Sequence, residues 1–226
     1  MAELLAARFR ITSIDQRGHG RALKPATGYA AEDYAGDVSK MIQEKTVLIG
    51  HSLGARNALV AGVRYPEKVA AVVAIDFTPY IEREVFDALD ARVTGGDRDF
   101  SSVDEIRNYL KGRYARLPDD AIDRRARHGY EYIDGKWRAL ALPAAMRETC
   151  AGLRENLSST LKNIKVPVLL LRGEDSKLVS REAWKKTHAL RPDIAAHEVR
   201  GADHYVPEEQ PAAVAAAVID FWDAIQ

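Results

Sequence analysis

At 226 residues, with 46% hydrophobic and 29% charged side chains, the chain is long enough to bury the core of one domain and to carry a small insertion. Lys plus Arg and Asp plus Glu each total 33, and a formal net charge of zero gives no electrostatic case for nucleic acid or an anionic membrane as partner. The lone cysteine, Cys150, excludes an intrachain disulfide and fits reducing surroundings, no apolar run approaches the ~20 residues of a membrane span, and "MAELLAARFR" lacks the basic start and apolar core of a signal peptide, so a soluble, cytoplasmic protein is expected.

In chain order, residues 1–9 have Leu4, Leu5 and Phe9 at helical spacing. "RITSID" reads as a strand and "QRGHGRALKPATGY" as a polar loop. "AAEDYAGDVSKMIQEK" reads as a helix, with Glu32 and Asp33 suited to the positive end of its dipole. "TVLIG" is a short apolar strand, "ARNALVAGVRYPEKV" a helix that Pro66 ends, and "AAVVAID" a second, near-continuous apolar strand. From about Ile81 to Ser159 the chain is charged and mostly helical, with no convincing buried strand; the arginine-rich "AIDRRARHGY" is flanked by acids and reads as a solvated helix face. Strand character returns in "VPVLLLRG", followed by a helix ("REAWKKTHALR"), a short strand ("AAHEVRG") and a last amphipathic helix ("PAAVAAAVIDFWDAI").

Strands that alternate with helices and are apolar on both faces imply a mostly parallel sheet covered by helices on both sides, an α/β fold. Residues 1–80 and 160–226 are expected to form that core, and 81–159 a helical cap inserted between its two halves.

Gly50-His51-Ser52-Leu53-Gly54 fits G-x-S-x-G at a strand-to-helix junction. A strand that turns sharply into a helix holds the serine strained, with its hydroxyl exposed. Such a hydroxyl needs a base to take its proton. Of six histidines, His51 is expected to point away from its neighbour Ser52, His19 to support the site, and His128, His188 and His197 to lie in the cap, a helix and a short strand. His204, in "RGADHYVPEEQP", lies between the last strand and the last helix. That loop opens at the carboxyl edge of the sheet, the edge that presents Ser52. The base in turn needs a carboxylate. Asp175, in "LLLRGEDSKLVS", is favoured, and Asp76, at the end of "AVVAID", is its competitor on the same edge.

Together, "DQRGHG", "GHSLG", "AIDFTP", "RGEDSKLV" and "GADHYVPEEQP" resemble the α/β-hydrolase fold superfamily of the kind with a helical cap, over nearly the whole chain. The resemblance implies Ser52 as nucleophile, Asp175 as acid and His204 as base, in that chain order, with no cofactor and no metal. It implies hydrolysis of carboxylic esters of small to medium acyl chains through an acyl-enzyme. The oxyanion would be held by the backbone N–H of Leu53 and by a second donor.

The family's first strands, including the one that supplies the second donor, have no counterpart here. Three alternative outcomes follow: "RITSID" shifts inward to pair with "TVLIG", bringing a backbone N–H near Gln16 or Arg17 to the oxyanion; a second copy covers the open edge as a homodimer; or the chain is a fragment with weak or no activity. Cap aromatics Tyr109, Tyr114, Tyr130, Tyr132 and Trp137 either line an acyl pocket or pack the cap. Lactonase, carbon–carbon hydrolase and cofactor-free haloperoxidase chemistry use the same triad. A binding or receptor-like relative without turnover is the competing class.

Overall fold

The computed structural model of the chain describes residues 1–94 and 98–226; of the expected cap, residues 95–97 lie outside the described residues. The chain opens with helix α1 (Ala2–Ala6) and reaches α2 (Ala31–Met41) through a long loop. The Asp33 carboxylate accepts the backbone N–H of Ala30 at 3.0 Å, which caps α2 at its positive end. Strand β1 (Thr46–His51) leads into α3 (Leu53–Arg64), which stops just before Pro66, and then into β2 (Val69–Ile75).

Next come α4 (Arg83–Thr94), α5 (Val103–Arg113), α6 (Asp119–His128), the hairpin β3 (Tyr130–Ile133) and β4 (Lys136–Ala139), and α7 (Pro143–Leu153). Helix α8 (Ser158–Asn163) returns the chain to β5 (Val168–Gly173), α9 (Arg181–Leu190), β6 (Ala195–Val199), the short α10 (Val206–Glu209) and α11 (Pro211–Ala224).

Strands β1, β2, β5 and β6 form one parallel sheet in the order β1-β2-β5-β6. Alternate residues of β2 and β5 point to opposite faces. Val72, Ala74, Val168 and Leu170 meet α2, α3 and α8 on one side; Ala71, Val73, Ile75, Leu169 and Leu171 meet α1 and α11 on the other. All are buried, and each Val, Leu or Ile so covered stabilises the fold by roughly 1.5–3 kcal/mol. The fold is the α/β arrangement expected, with helices on both faces. Among the described residues no helix is long and apolar enough to cross a membrane.

Two expectations are corrected. "RITSID" is not a strand and does not pair with β1. Arg10 bonds Glu44 at 3.2 Å, and Gln16 is held by Asn57 of α3 at 2.6 Å, so the segment is tied at its ends while Ile11 and Ile14 remain more than a third exposed. The inward shift is therefore absent, and the outer edge of β1 has no strand partner among the described residues.

The inserted region also contains a strand pair that periodicity did not reveal. Asp134 and Gly135, both at positive φ, form the two-residue turn between β3 and β4. Phe100, Ile106, Leu110, Ile122 and Trp137 pack in a separate apolar cluster of this region, with Tyr109 and Tyr130 against it. Those aromatics pack within the inserted region, and Tyr132 is exposed. Tyr114 packs against the same cluster and also lines a cavity.

Candidate active site

Ser52 stands between β1 and α3 with φ 53° and ψ −114°, a backbone conformation that L-residues avoid. Its N–H donates to Ile75 O of β2 at 2.8 Å, and its carbonyl accepts Arg56 N–H at 3.1 Å. These bonds hold a turn that would otherwise relax. Gly50 is obligatory here, because a Cβ on it would fall 2.1 Å from Gly54 O. Leu53 is the first residue of α3, so its N–H has no acceptor within the helix and is available for an anion.

Asp76 follows β2 directly, also at positive φ (50°), and is fully buried. A buried carboxylate must be bonded on both oxygens. Its Oδ1 accepts Gly173 N–H at 3.0 Å; its Oδ2 accepts the Ser176 hydroxyl at 2.7 Å and His204 Nδ1–H at 2.8 Å. With the proton on Nδ1, His204 Nε2 keeps its lone pair, the form a general base requires.

Asp175, favoured from sequence, does not meet His204. Its Oδ2 pairs with Arg116 Nη2 at 3.0 Å and the side chain is half exposed. The reason is the turn after β5. Asp175 N–H is spent on Ala202 O, and it is Ser176 that turns inward, onto Asp76. In the order β1-β2-β5-β6, Asp76 ends the strand beside that of Ser52, and the loop after β6 crosses over to meet it.

Among the described residues no hydrogen bond joins Ser52 Oγ to His204. Such contacts commonly tighten only when substrate is bound. Gln16 approaches the elbow through its side chain and not its backbone. Asn57 Nδ2 donates to its Oε1, which turns its Nε2 toward Gly54, 3.4 Å from where a Cβ on that glycine would lie. His19 Nδ1 lies 3.0 Å from Arg17 O, and burial holds its pKa below the ordinary histidine value. The His51 side chain reaches the loop of the last histidine: its Nε2 is 2.6 Å from His204 O.

Two adjoining cavities serve this rim, sharing Val85, Leu89 and Leu178. The smaller, about 20 Å³, has Ser52 and Asp76 in its wall and is otherwise apolar, closed by Phe77, Ile81, Phe86 and Leu153. The larger, about 400 Å³, is bounded by His204, Tyr205, Tyr114, Arg92, Arg113 and Arg116.

Arg92 lies 4.7 Å from the Tyr114 ring centre, and Arg113 bonds Tyr109 and Tyr114 hydroxyls and Arg92 O. Neither arginine is paired with a carboxylate among the described residues. Burial would raise the Tyr114 phenol, but Arg125, Arg113 and Arg92 outweigh it and hold its pKa below the ordinary value, which marks a positive potential. Spacing did not reveal this cluster; its only sequence sign was arginine interleaved with tyrosine in "KGRYAR".

Among the described residues no group of His, Cys, Asp and Glu side chains is arranged to hold a metal. What the site does hold is the Ser52 hydroxyl, an oriented imidazole and backbone donors at a helix start.

The chain as a whole is similar to known proteins. The Alpha/beta hydrolase family model matches residues 1–217. The 2-(acetamidomethylene)succinate hydrolase of Mesorhizobium japonicum is 49% identical over 224 residues, 97% of this chain and 81% of that one. The crystal structure of E-2-(acetamidomethylene)succinate hydrolase superposes with a TM-score of 0.91 at 50% identity, over 92% of this chain and 80% of that one. A bifunctional esterase/perhydrolase of Acinetobacter calcoaceticus is 26% identical over 209 residues, 84% of this chain and 72% of that one. The chain is a hydrolase and belongs to the alpha/beta hydrolase family.

Proposed function

We propose that Ser52, His204 and Asp76 act as nucleophile, base and acid in hydrolysing the acyl–nitrogen bond of a small N-acyl dicarboxylate, of the kind named for the Mesorhizobium relative. Ser52 Oγ attacks the acyl carbonyl as His204 Nε2 takes its proton. Asp76 stabilises the imidazolium. The oxyanion is held by Leu53 N–H and the side-chain amide of Gln16, each donor contributing roughly 3 kcal/mol to lowering the barrier. His204 then protonates the leaving nitrogen, and water frees the acyl group by the same route.

The observation that carries the substrate class is the pair Arg92 and Arg113. Each lines the cavity at His204 without a carboxylate partner among the described residues. Guanidinium groups so placed favour an anionic ligand, and carboxylates match their fork geometry. A succinate-type molecule brings two. The apolar cavity beside Ser52, about 20 Å³, has room for roughly one water-sized group, which fits the methyl of an acetyl group.

The same triad attacks carboxylic esters, the expectation from sequence, and the apolar wall at Ser52 favours short ones. Comparing kcat/KM for an N-acetyl dicarboxylate, its monocarboxylate analogue, p-nitrophenyl acetate and p-nitrophenyl butyrate tests the proposal. A dicarboxylate preferred over its monocarboxylate analogue is expected. Equal rates for those two, with butyrate ester the best substrate, would replace the proposal with a plain esterase.

A further inference from the structure

We propose that His51, the residue before the nucleophile, is a positioning residue that aims His204; the proposal rests on the triad reading above. His51 ends β1 and is covered by the loop that carries the base. Its Nε2 lies 2.6 Å from the carbonyl oxygen of His204, and its ring centre is 4.7 Å from the His204 ring and 5.9 Å from that of Tyr205. A carbonyl oxygen only accepts, so Nε2 carries the proton and His51 donates.

His204 lies between β6 and the short α10, outside both, and the N–H groups around it are bonded by side chains. Asp203 N–H and Tyr205 N–H donate to Glu209, and His204 N–H donates to Asp203 Oδ1 at 2.8 Å. His51 takes the His204 carbonyl. Asp76 fixes one end of the imidazole, and His51 fixes the main chain from which that imidazole hangs. With both in place, the direction of Nε2 is determined.

The chemistry also requires His51 to remain neutral. His204 must hold a proton in the transition state, and a second imidazolium at stacking distance would oppose it. Burial, then His204 and Arg125, lower the His51 pKa to about 3, although the bond to His204 O works the other way. The charged groups facing His51 are thus His204 itself and Arg125 of α6, which is paired with Glu208; Tyr205 completes the enclosure.

The test is the rate at which a fluorophosphonate probe labels Ser52, located by peptide mapping, in the intact protein, His51→Phe and His51→Gln, with Ser52→Ala as blank. Phenylalanine keeps a ring and removes the donor; glutamine places an amide N–H near Nε2. His51→Phe is expected to label on the order of tenfold more slowly, and His51→Gln to recover to within about threefold of the intact protein, because small losses of aim are costly at this step.

Melting temperatures accompany the rates. Where His51→Phe does not fold, His51→Leu, which likewise has no donor, replaces it under the same criteria. Labelling of the donor-less variant within about twofold of the intact protein, or no recovery with glutamine, overturns the positioning role while leaving the triad standing. Failure of the intact protein to label at Ser52 removes the triad reading and this inference with it.

Discussion

The Asp76 carboxylate and His204 Nδ1 lie 2.8 Å apart across 128 residues of sequence, and Asp76 is held by two further donors, Gly173 N–H and Ser176 Oγ–H. A buried carboxylate with three donors has nowhere else to turn. It therefore fixes both the tautomer and the plane of the imidazole. Asp175, one residue before Ser176, faces outward to Arg116.

That contrast yields opposite outcomes for two aspartates. Asp76→Asn is expected to lower kcat by about 10⁴-fold, because an amide offers His204 the wrong tautomer. Asp175→Asn removes only an exposed ion pair, worth at most about 1 kcal/mol, and is expected to retain kcat within about tenfold. Steady-state kinetics on the two purified variants decide it; the reverse order of damage would restore Asp175 as the acid.

The strained elbow should be visible in stability. At φ 53° and ψ −114°, Ser52 carries strain of roughly 1–3 kcal/mol that glycine would not, against roughly 0.5–1 kcal/mol for the extra freedom of glycine when unfolded. Ser52→Gly is thus expected to unfold at higher urea, by about 1 kcal/mol, while losing activity. A variant less stable than the parent would show that the elbow is not strained.

Among the described residues no acid is paired with Arg92. Arg92→Gln is expected to lower kcat/KM for an N-acyl dicarboxylate by about 10- to 100-fold, the range for a lost charge-assisted hydrogen bond of roughly 1.5–3 kcal/mol. Turnover of neutral p-nitrophenyl acetate should change by less than about threefold. Equal losses on both substrates would mean that Arg92 supports the cap and not the ligand.

His51 makes stability depend on pH. Its folded pKa, about 3, lies below the ordinary histidine value of 6.5, so between those limits the unfolded chain binds a proton that the folded chain refuses. The neutral-histidine contribution is complete above about pH 6.5 and declines toward pH 3, by up to about 1.4 kcal/mol per pH unit. Half-buried His19 has the same sign. Urea titrations from pH 4 to 8 should show a shallower decline in His51→Gln than in the parent; parallel curves would contradict it.

Much of this was legible in the residues, for physical reasons. The elbow was legible because only a glycine at position 50 and a small turn permit that approach of strand and helix. The sheet was legible because β2 and β5 are buried on both faces and read as unbroken apolar runs. The choice between Asp76 and Asp175 was not, since both follow strands on one rim. It depends on strand order and on whether Ser176 or Asp175 turns inward, neither of which is local.

"RITSID" misled because its isoleucines are three apart, which is not the two-residue period of a paired strand. The β3–β4 hairpin carried a sign in "YEYIDGKWRA", the Asp-Gly turn, hidden by the charges around it. Arg92 and Arg113 come together only because the ends of α4 and α5 meet, where Arg113 Nη2 donates to Arg92 O at 2.7 Å.

The acyl group itself reports most directly on Ser52 as nucleophile. Protein acid-quenched during turnover of an N-acetyl dicarboxylate and mapped by peptide mass spectrometry should carry acetyl on the peptide containing Ser52, with none in Ser52→Ala. Steady product formation with the acetyl elsewhere, or with Ser52→Ala turning over at the parent rate, would contradict the triad.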